Sequence, residues 1–461
     1  MAPPAITATG DVDEARLSFL RGRYSYASIS DKISDIVLSR PTHGGWYAGV
    51  ALCTLLTILF VVAIAYLFAT GVGIWGVGIP VAWAFAITNF VWWVGIGHAG
   101  TFISAFLLLL RQKWRTSVNR FAEAMTIFAV AMAGLMPILH LGRPWFFYWL
   151  APYPDIMNVW PQWRSPLVWD IFAIGTYIIV SILLWYMGLI PDLATLRDRS
   201  DSRVKQVLYG LFALGWRGEA RHWKRFDTAY LLMAGLATPL VVSVHSVVSL
   251  DFSIGNTPGW HSTIFPPYFV AGALFSGFAM ALTISIPLRA IFGLKDFITA
   301  RHLDNIAKVM LVCGLLVAYS YVVEIFMAFY STDRFEEFMI LNRMRGPYAP
   351  IYWTVVFCNV VVPQLLWWKR VRLSTLTLFA ISIVVNIGMW LERFMIIVTS
   401  LHRDFLPSSW DVYYPTFWDW ATLFGSLGAF GWLFLMFVRF LPAISISEMR
   451  KLVLEKREGE T

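Results

Sequence analysis

Apolar runs of membrane-spanning length recur along most of this 461-residue chain, separated by short polar segments. They cover about 47–70, 80–110, 118–141, 165–190, 226–250, 264–292, 303–330, 349–368, 373–401 and 419–440. Each is near the roughly 20 residues that an α-helix needs to cross the hydrocarbon core. Pro, Gly or charge clusters bound most of them; Pro80 opens the second and Pro363 falls near the end of the eighth. Short segments with period-two alternation, the mark of an outer-membrane barrel, are absent. The pattern predicts an all-α polytopic membrane protein with about ten transmembrane helices.

The loops alternate in charge. One set holds RQKWR (111–115), the segment 191–225, LKDFITARH (294–302) and WKRVR (368–372). The other set (71–79, 142–164, 251–263, 331–348, 402–418) is poorer in Lys and Arg and rich in Trp, Tyr and Pro. Positive loops stay inside, so the first set is expected in the cytoplasm and, with an even number of spans, both termini too. Arg143, Arg164, Arg334, Arg343 and Arg345 are exceptions in outer loops, which pairing or burial would explain. Trp145, Tyr148, Trp149, Trp160 and Trp163, and Trp410, Tyr413, Tyr414, Trp418 and Trp420, read as an interfacial belt or a partner-docking surface. Segment 201–216, with Val204, Val207, Leu208, Leu211 and Phe212, has the spacing of an amphipathic helix on the cytoplasmic face. Residues 1–45 lack the apolar core of a signal peptide and read as an extramembrane arm, partly helical around Asp31–Leu38, able to dock on a partner.

Composition agrees: 58% of residues are hydrophobic and 14% charged, with mean hydropathy +0.64. A soluble domain would carry roughly 25% charged residues. The net charge of +8 sits in short loops, which points to topology and lipid headgroups rather than nucleic acid. Cys53, Cys313 and Cys358 lie in apolar runs without a CxxC pair, so neither a disulfide framework, a zinc site nor an iron–sulfur cluster is expected.

Ionisable residues inside a membrane are costly and are functional candidates. His140 closes the third span, Asp170 begins the fourth, and His245 and Asp251 end the fifth, all on the outer side. Imidazole and carboxylate together offer a quinol headgroup hydrogen-bond partners and proton acceptors. The alternative is that these are helix-end residues facing water. His98, mid-membrane in GIGHAGTF, is a proton-transfer group, a haem ligand or a hydrogen-bonded core histidine, and the small residues around it permit close helix contact. Glu123, Glu324 and the adjacent Glu392 and Arg393 complete the buried charges: Glu392 and Arg393 as a structural ion pair, or all of them with His98 as stations of a discontinuous proton route. Ser104, Thr126, Tyr177 and Ser243 would be its stepping stones. Walker, GxGxxG, HExxH and nucleophile-elbow motifs are missing. The chain shows no redox centre of its own, so electron transfer requires a partner protein. A weak internal repeat links Arg120-x-x-Glu123 with Arg301-x-x-Asp304, and SLDF (249–252) with HRDF (402–405).

The stretches GIGHAGTFISAFLLLLRQKWRTSVNRFAEAMTIFAV, MPILHLGRPWFFYWLAPYP and SPLVWDIFAIGTY resemble the NrfD/PsrC-like integral membrane quinol-binding subunits, and among them the ActC type of bacterial alternative complex III. The resemblance implies two four-helix bundles flanked by one helix at each end. The divisions would be a cytoplasmic arm (1–45), a flanking helix (46–75), a first bundle with the quinol site (76–255), a second bundle (256–405), and a last flanking helix with a cytoplasmic tail (406–461). It implies menaquinol oxidation to menaquinone near the periplasmic face of a bacterial inner membrane, with His140, Asp170 and Asp251 as quinol ligands and His245 behind them. Electrons would pass to iron–sulfur and multihaem cytochrome c partners, beside a related NrfD-like membrane protein, in respiratory or photosynthetic electron transport, with proton translocation as an added role. Other readings are a membrane anchor of a polysulfide-like reductase, a proton or solute transporter using the two bundles, and a purely structural anchor.

Overall fold

The computed structural model describes residues 19–22, 24–39, 41–42, 44–150 and 163–460; the side chains of 149, 150 and 455–460 are not described. The N-terminal arm up to residue 18 and Trp160, and the side chain of Trp149, therefore lie outside the described residues. All described regular structure is helical. Among the described residues, ten helices are long and apolar enough to cross a membrane: Gly44–Thr70, Phe85–Leu109, Asn119–His140, Pro166–Arg199, Ala220–Ser253, Phe265–Ile291, Ala300–Tyr330, Ala349–Trp367, Thr375–Leu401 and Phe417–Phe440. These are the first to tenth spans. Outer and inner denote the faces assigned by loop charge.

The boundaries have local causes. Pro166 occupies the first turn of the fourth span, where its missing N–H costs nothing. Thr416 caps the tenth span in a capping box with Asp419. The second span begins at Phe85 rather than at Pro80, because 78–84 form bends ahead of it. It ends in a π-helical turn, Phe102–Phe106. The eighth span breaks its α-helical ladder at the π-turn Phe357–Val361 and continues as the 3-10 turn Val362–Trp367 with Pro363 in its first turn.

The second, sixth and ninth spans form the centre, and the sixth packs on the other two. Small residues set these distances: a Cβ on Gly100 would lie 2.0 Å from the Ala122 carbonyl oxygen, and one on Gly277 2.4 Å from the Ala99 side chain. The third span lies along the second, and the fourth along the fifth. The first and tenth spans pair with each other, at Gly425 and Gly428 against Phe60 and Leu56. The first is otherwise largely exposed, as a lipid-facing helix should be. At the inner face lie the helices Tyr26–Leu38, Arg203–Phe212 and Ile446–Glu460; at the outer face lies Arg334–Arg345. The last of these explains one arginine exception: Arg343 is fully buried and pairs with Glu324 at 2.6 Å.

Candidate functional site

Asp170 stands one turn into the fourth span and Asp251 in the last turn of the fifth, and those helices pack along their length. The two carboxyl groups therefore meet within hydrogen-bonding reach of each other. A hydrogen bond between carboxyl groups needs a proton on one of them. No ion pair reaches either group among the described residues, and one oxygen of each, Oδ1, is buried without a hydrogen-bond partner. Native interiors satisfy nearly all such atoms, so orphaned oxygens mark a place where a ligand or water completes the bonding.

Aromatic rings wall the same end. His140 closes the third span with its ring edge-on to Trp83 at 6.4 Å. Trp83 in turn lies against Trp260 at 5.8 Å and edge-on to Phe252 at 5.9 Å. Phe252 follows Asp251 directly, so the carboxyl pair and the rings stand at one depth, at the outer ends of their helices. The loop carrying Trp260 is clamped from the second half of the molecule. The Gly259 N–H donates to both Glu336 oxygens (3.1 and 3.0 Å), Arg343 Nη2 donates to the Gly259 carbonyl (3.1 Å), and Trp260 Nε1 donates to the Ile396 carbonyl (2.8 Å).

His245 sits deeper. The fifth span runs on to Ser253, which puts His245 about 12 Å inside its outer end at 1.5 Å per residue. Its ring is 4.7 Å from that of His98 and 5.8 Å from that of Phe269. This corrects the sequence expectation that His98 is central while His245 is at the outer end: the two histidines share a level. They touch directly, leaving no gap for a macrocycle between them. His98 donates Nδ1 to the Val94 carbonyl (2.5 Å) and stacks on Tyr177. Both His245 ring nitrogens are buried without a partner.

The remaining charges occupy separate levels. Glu123, toward the inner face, accepts from Arg120 Nη1 (3.0 Å) and Tyr230 Oη (2.9 Å). Glu392 lies 3.2 Å from Arg393 and accepts hydrogen bonds from the Tyr321 hydroxyl and from Asn359 Nδ2 (3.3 Å). The Arg393 guanidinium lies over the Phe269 ring at 4.1 Å, in space that Gly272 leaves open. Thr126, Tyr177 and Ser104 face the interior and bond to the Gly97 and Gly100 carbonyls. Ser243 does not: it is exposed and bonds only within its own helix.

Sequence reasoning missed Trp83, because the span was begun at Pro80 and its residues counted as helix. Trp260, Glu336 and the partners Asp192 and Asn359 were missed too. Only Arg343 carried a signal, as a cation in an outer loop.

A family model described as polysulphide reductase, NrfD, matches residues 73–403, which hold the second to ninth spans. The chain belongs to the NrfD family. It is also similar to a putative membrane component of dimethyl sulfoxide reductase from Halobacterium salinarum, 24% identical over 380 residues that cover 78% of each chain. Members of the NrfD family are multi-pass integral membrane subunits of quinol-dependent, multisubunit oxidoreductases. They bind quinones and work with catalytic and iron–sulfur partner proteins. Among the described residues no group of three or more His, Cys, Asp or Glu side chains is placed to hold a metal ion.

Proposed function

We propose that this NrfD-family chain oxidises a quinol, menaquinol by preference, at the outer ends of its third to fifth spans. The observation that carries the reading is the buried carboxyl pair Asp170 and Asp251, which has orphaned oxygens, no ion-pair partner among the described residues, and an imidazole and three aromatic rings at the same end of the bundle. The tilted indoles of Trp83 and Trp260 offer π-surface that suits a fused-ring quinone. One quinol hydroxyl would donate to the carboxyl pair and the other to His140. As the two O–H bonds break, two protons pass to these groups and on to the outer aqueous phase. Two electrons leave singly to an iron–sulfur partner, and the ring becomes the quinone. His245 would support the site from below. Glu123, His98, Glu392, Arg393 and Glu324 are proposed as stations of a proton route, since polar groups stand at successive levels between the faces.

A terminal reductase is the better supported destination of the electrons, because the matching family and the archaeal relative both carry a reductase's name. One observation favours an alternative complex III assembly: the first and tenth spans lie outside the matched region and pair with each other, giving the ten-span body that the ActC resemblance implies. Asp170→Asn and His140→Ala are expected to lower quinol-dependent reduction of the co-purified partners by about 10²- to 10⁴-fold, while the complex assembles. Normal turnover in both would refute the site. The co-purified proteins, a dimethyl sulfoxide- or polysulfide-type reductase or a multihaem cytochrome c, decide the acceptor.

A further inference from the structure

The inner face carries a polar cavity, far from the carboxyl pair and independent of any reading of it. Its volume is about 270 Å³, and its lining includes Arg197, Arg217, Arg450, Trp216, Trp223 and Ser447. The lining carries three arginines and one carboxylate, Asp198, which Arg197 Nε binds at 2.7 Å while its Nη1 donates to the Trp216 carbonyl at 3.3 Å. Three nearby acidic groups are engaged elsewhere. Asp192 is held by Arg120 and by the Ser447 N–H, Asp31 by Arg199, and Asp227 by Lys451. Arg450 donates Nε to Ser30 Oγ (2.8 Å) and forms no ion pair among the described residues. Burial, then the neighbouring Arg199, pushes its guanidinium below the ordinary value. The cavity thus holds an excess of positive charge beneath two indoles.

Beside it lies the helix Arg203–Phe212. One edge is docked on the protein: Gln206 donates to the Ser200 carbonyl (2.7 Å), Tyr209 to the Phe440 carbonyl (3.0 Å), and Gly210 lies against Arg197. The other edge presents Val204, Val207, Leu208 and Leu211, each at least half exposed. An apolar edge at the membrane surface next to a basic cavity matches both halves of an acidic phospholipid. We propose that the cavity binds a phosphate group, that of an anionic phospholipid whose acyl chains lie along the exposed edge of this helix.

The test uses the whole complex in phosphatidylcholine nanodiscs, with thermal unfolding followed as phosphatidylglycerol replaces part of the lipid, and native mass spectrometry counting retained lipid. The wild type should gain several degrees and keep a bound phosphatidylglycerol. The variant Arg217→Gln/Arg450→Gln should lose affinity by about thirtyfold, as two surface cations imply. Arg217→Gln alone, at an exposed position, guards against a folding defect. Arg203→Gln, outside the cavity, should change little. An equal shift from inorganic phosphate supports the phosphate site and assigns it to the free ion. No shift as phosphatidylglycerol replaces phosphatidylcholine, undiminished lipid retention in the double variant, or crosslinking of a partner protein through Arg217→Cys would overturn the proposal.

Discussion

Two buried charge clusters stand at opposite ends of the same helices and are built on opposite principles. At the inner end, Arg120 is 1% exposed. Its terminal nitrogens reach Glu123 (3.0 Å), Asp192 (3.3 Å), the Gly188 carbonyl (2.6 Å) and the Trp185 carbonyl (3.2 Å). Glu123 takes a further bond from Tyr230, and Asp192 one from the Ser447 N–H at 3.0 Å. At the outer end, Asp170 and Asp251 have each other and no ion-pair partner among the described residues. The first arrangement fastens the third, fourth and fifth spans to the C-terminal helix. The second leaves hydrogen-bonding capacity open, at the place proposed above for the quinol. Burial alone does not distinguish a charge that ties helices together, as Glu123 does beside its proposed place on the proton route, from one left open to a ligand; the state of its partners does.

The largest effect should come from breaking the inner cluster. Arg120→Met strands two carboxylates in the interior, a change that costs about 3–5 kcal/mol when one partner of a buried pair is removed. The expected result is loss of assembled complex, seen by size-exclusion chromatography and as a large fall in Tm. The outer cluster should respond in the reverse sense: Asp170→Asn/Asp251→Asn removes buried charge, keeps the hydrogen bond, and should leave Tm unchanged or raised while turnover collapses. Equal losses of stability at the two ends would abolish the distinction.

The same contrast shows what the sequence could reveal. The ten spans were readable because apolar runs of about 20 residues have few alternative solutions in lipid, and all ten recur in the structure. Loop charge marked Arg343 as anomalous, and its ion pair with Glu324 accounts for it. Depth was less legible. His245 was placed at a helix end, yet the fifth span continues to Ser253 through polar residues that a hydropathy reading discounts. Pairing across distant segments was not legible at all: nothing near Arg120 announces Asp192, 72 positions away. The repeated motif also fails to repeat its contacts. Arg120 pairs with Glu123, whereas Asp304 is taken by Arg372 (2.7 Å) and Lys308 (2.6 Å), and Arg301 lies over Phe19. Similar letters at one helix start are not similar interactions.

A smaller effect should sharpen the outer site. Glu336 does not touch the carboxyl pair; it holds the Gly259 N–H, and through that loop the indole of Trp260 against Trp83. Glu336→Ala unties one backbone donor, worth about 1 kcal/mol. If Glu336 is a positioning residue, the quinol KM should rise several-fold with kcat little changed, and Glu336→Gln, which keeps an acceptor, should restore most of the affinity. A fall in kcat with KM unaltered would place Glu336 in the chemistry instead.

The smallest effect belongs to charges that are neither buried nor orphaned. Lys32 on the N-terminal helix meets Asp296 at 2.8 Å, and the Tyr24 hydroxyl donates to the same carboxylate at 2.9 Å. Partial burial acts to raise the Asp296 pKa, but the hydrogen bonds from Lys32 and Tyr24 outweigh it and hold the carboxyl below its ordinary value of 3.8. Burial likewise acts to lower Lys32, and the same bonds hold it above 10.5. A depressed acid contributes stability that is complete above its unfolded pKa and fades as pH falls through the folded one. A raised base contributes stability that is complete below its unfolded pKa and fades as pH rises through the folded one. The contact should therefore be constant between about pH 5 and 9 and weaken only outside that window. Its worth should not exceed about 1 kcal/mol, since both groups are partly solvated and screened by salt. The protection factor of residues 26–38, which removes the intrinsic pH dependence of amide exchange, should be flat across the window, fall toward pH 3, and be slightly lower throughout in Lys32→Ala. Steep dependence near pH 7 would mean that a group other than this pair fastens the N-terminal helix.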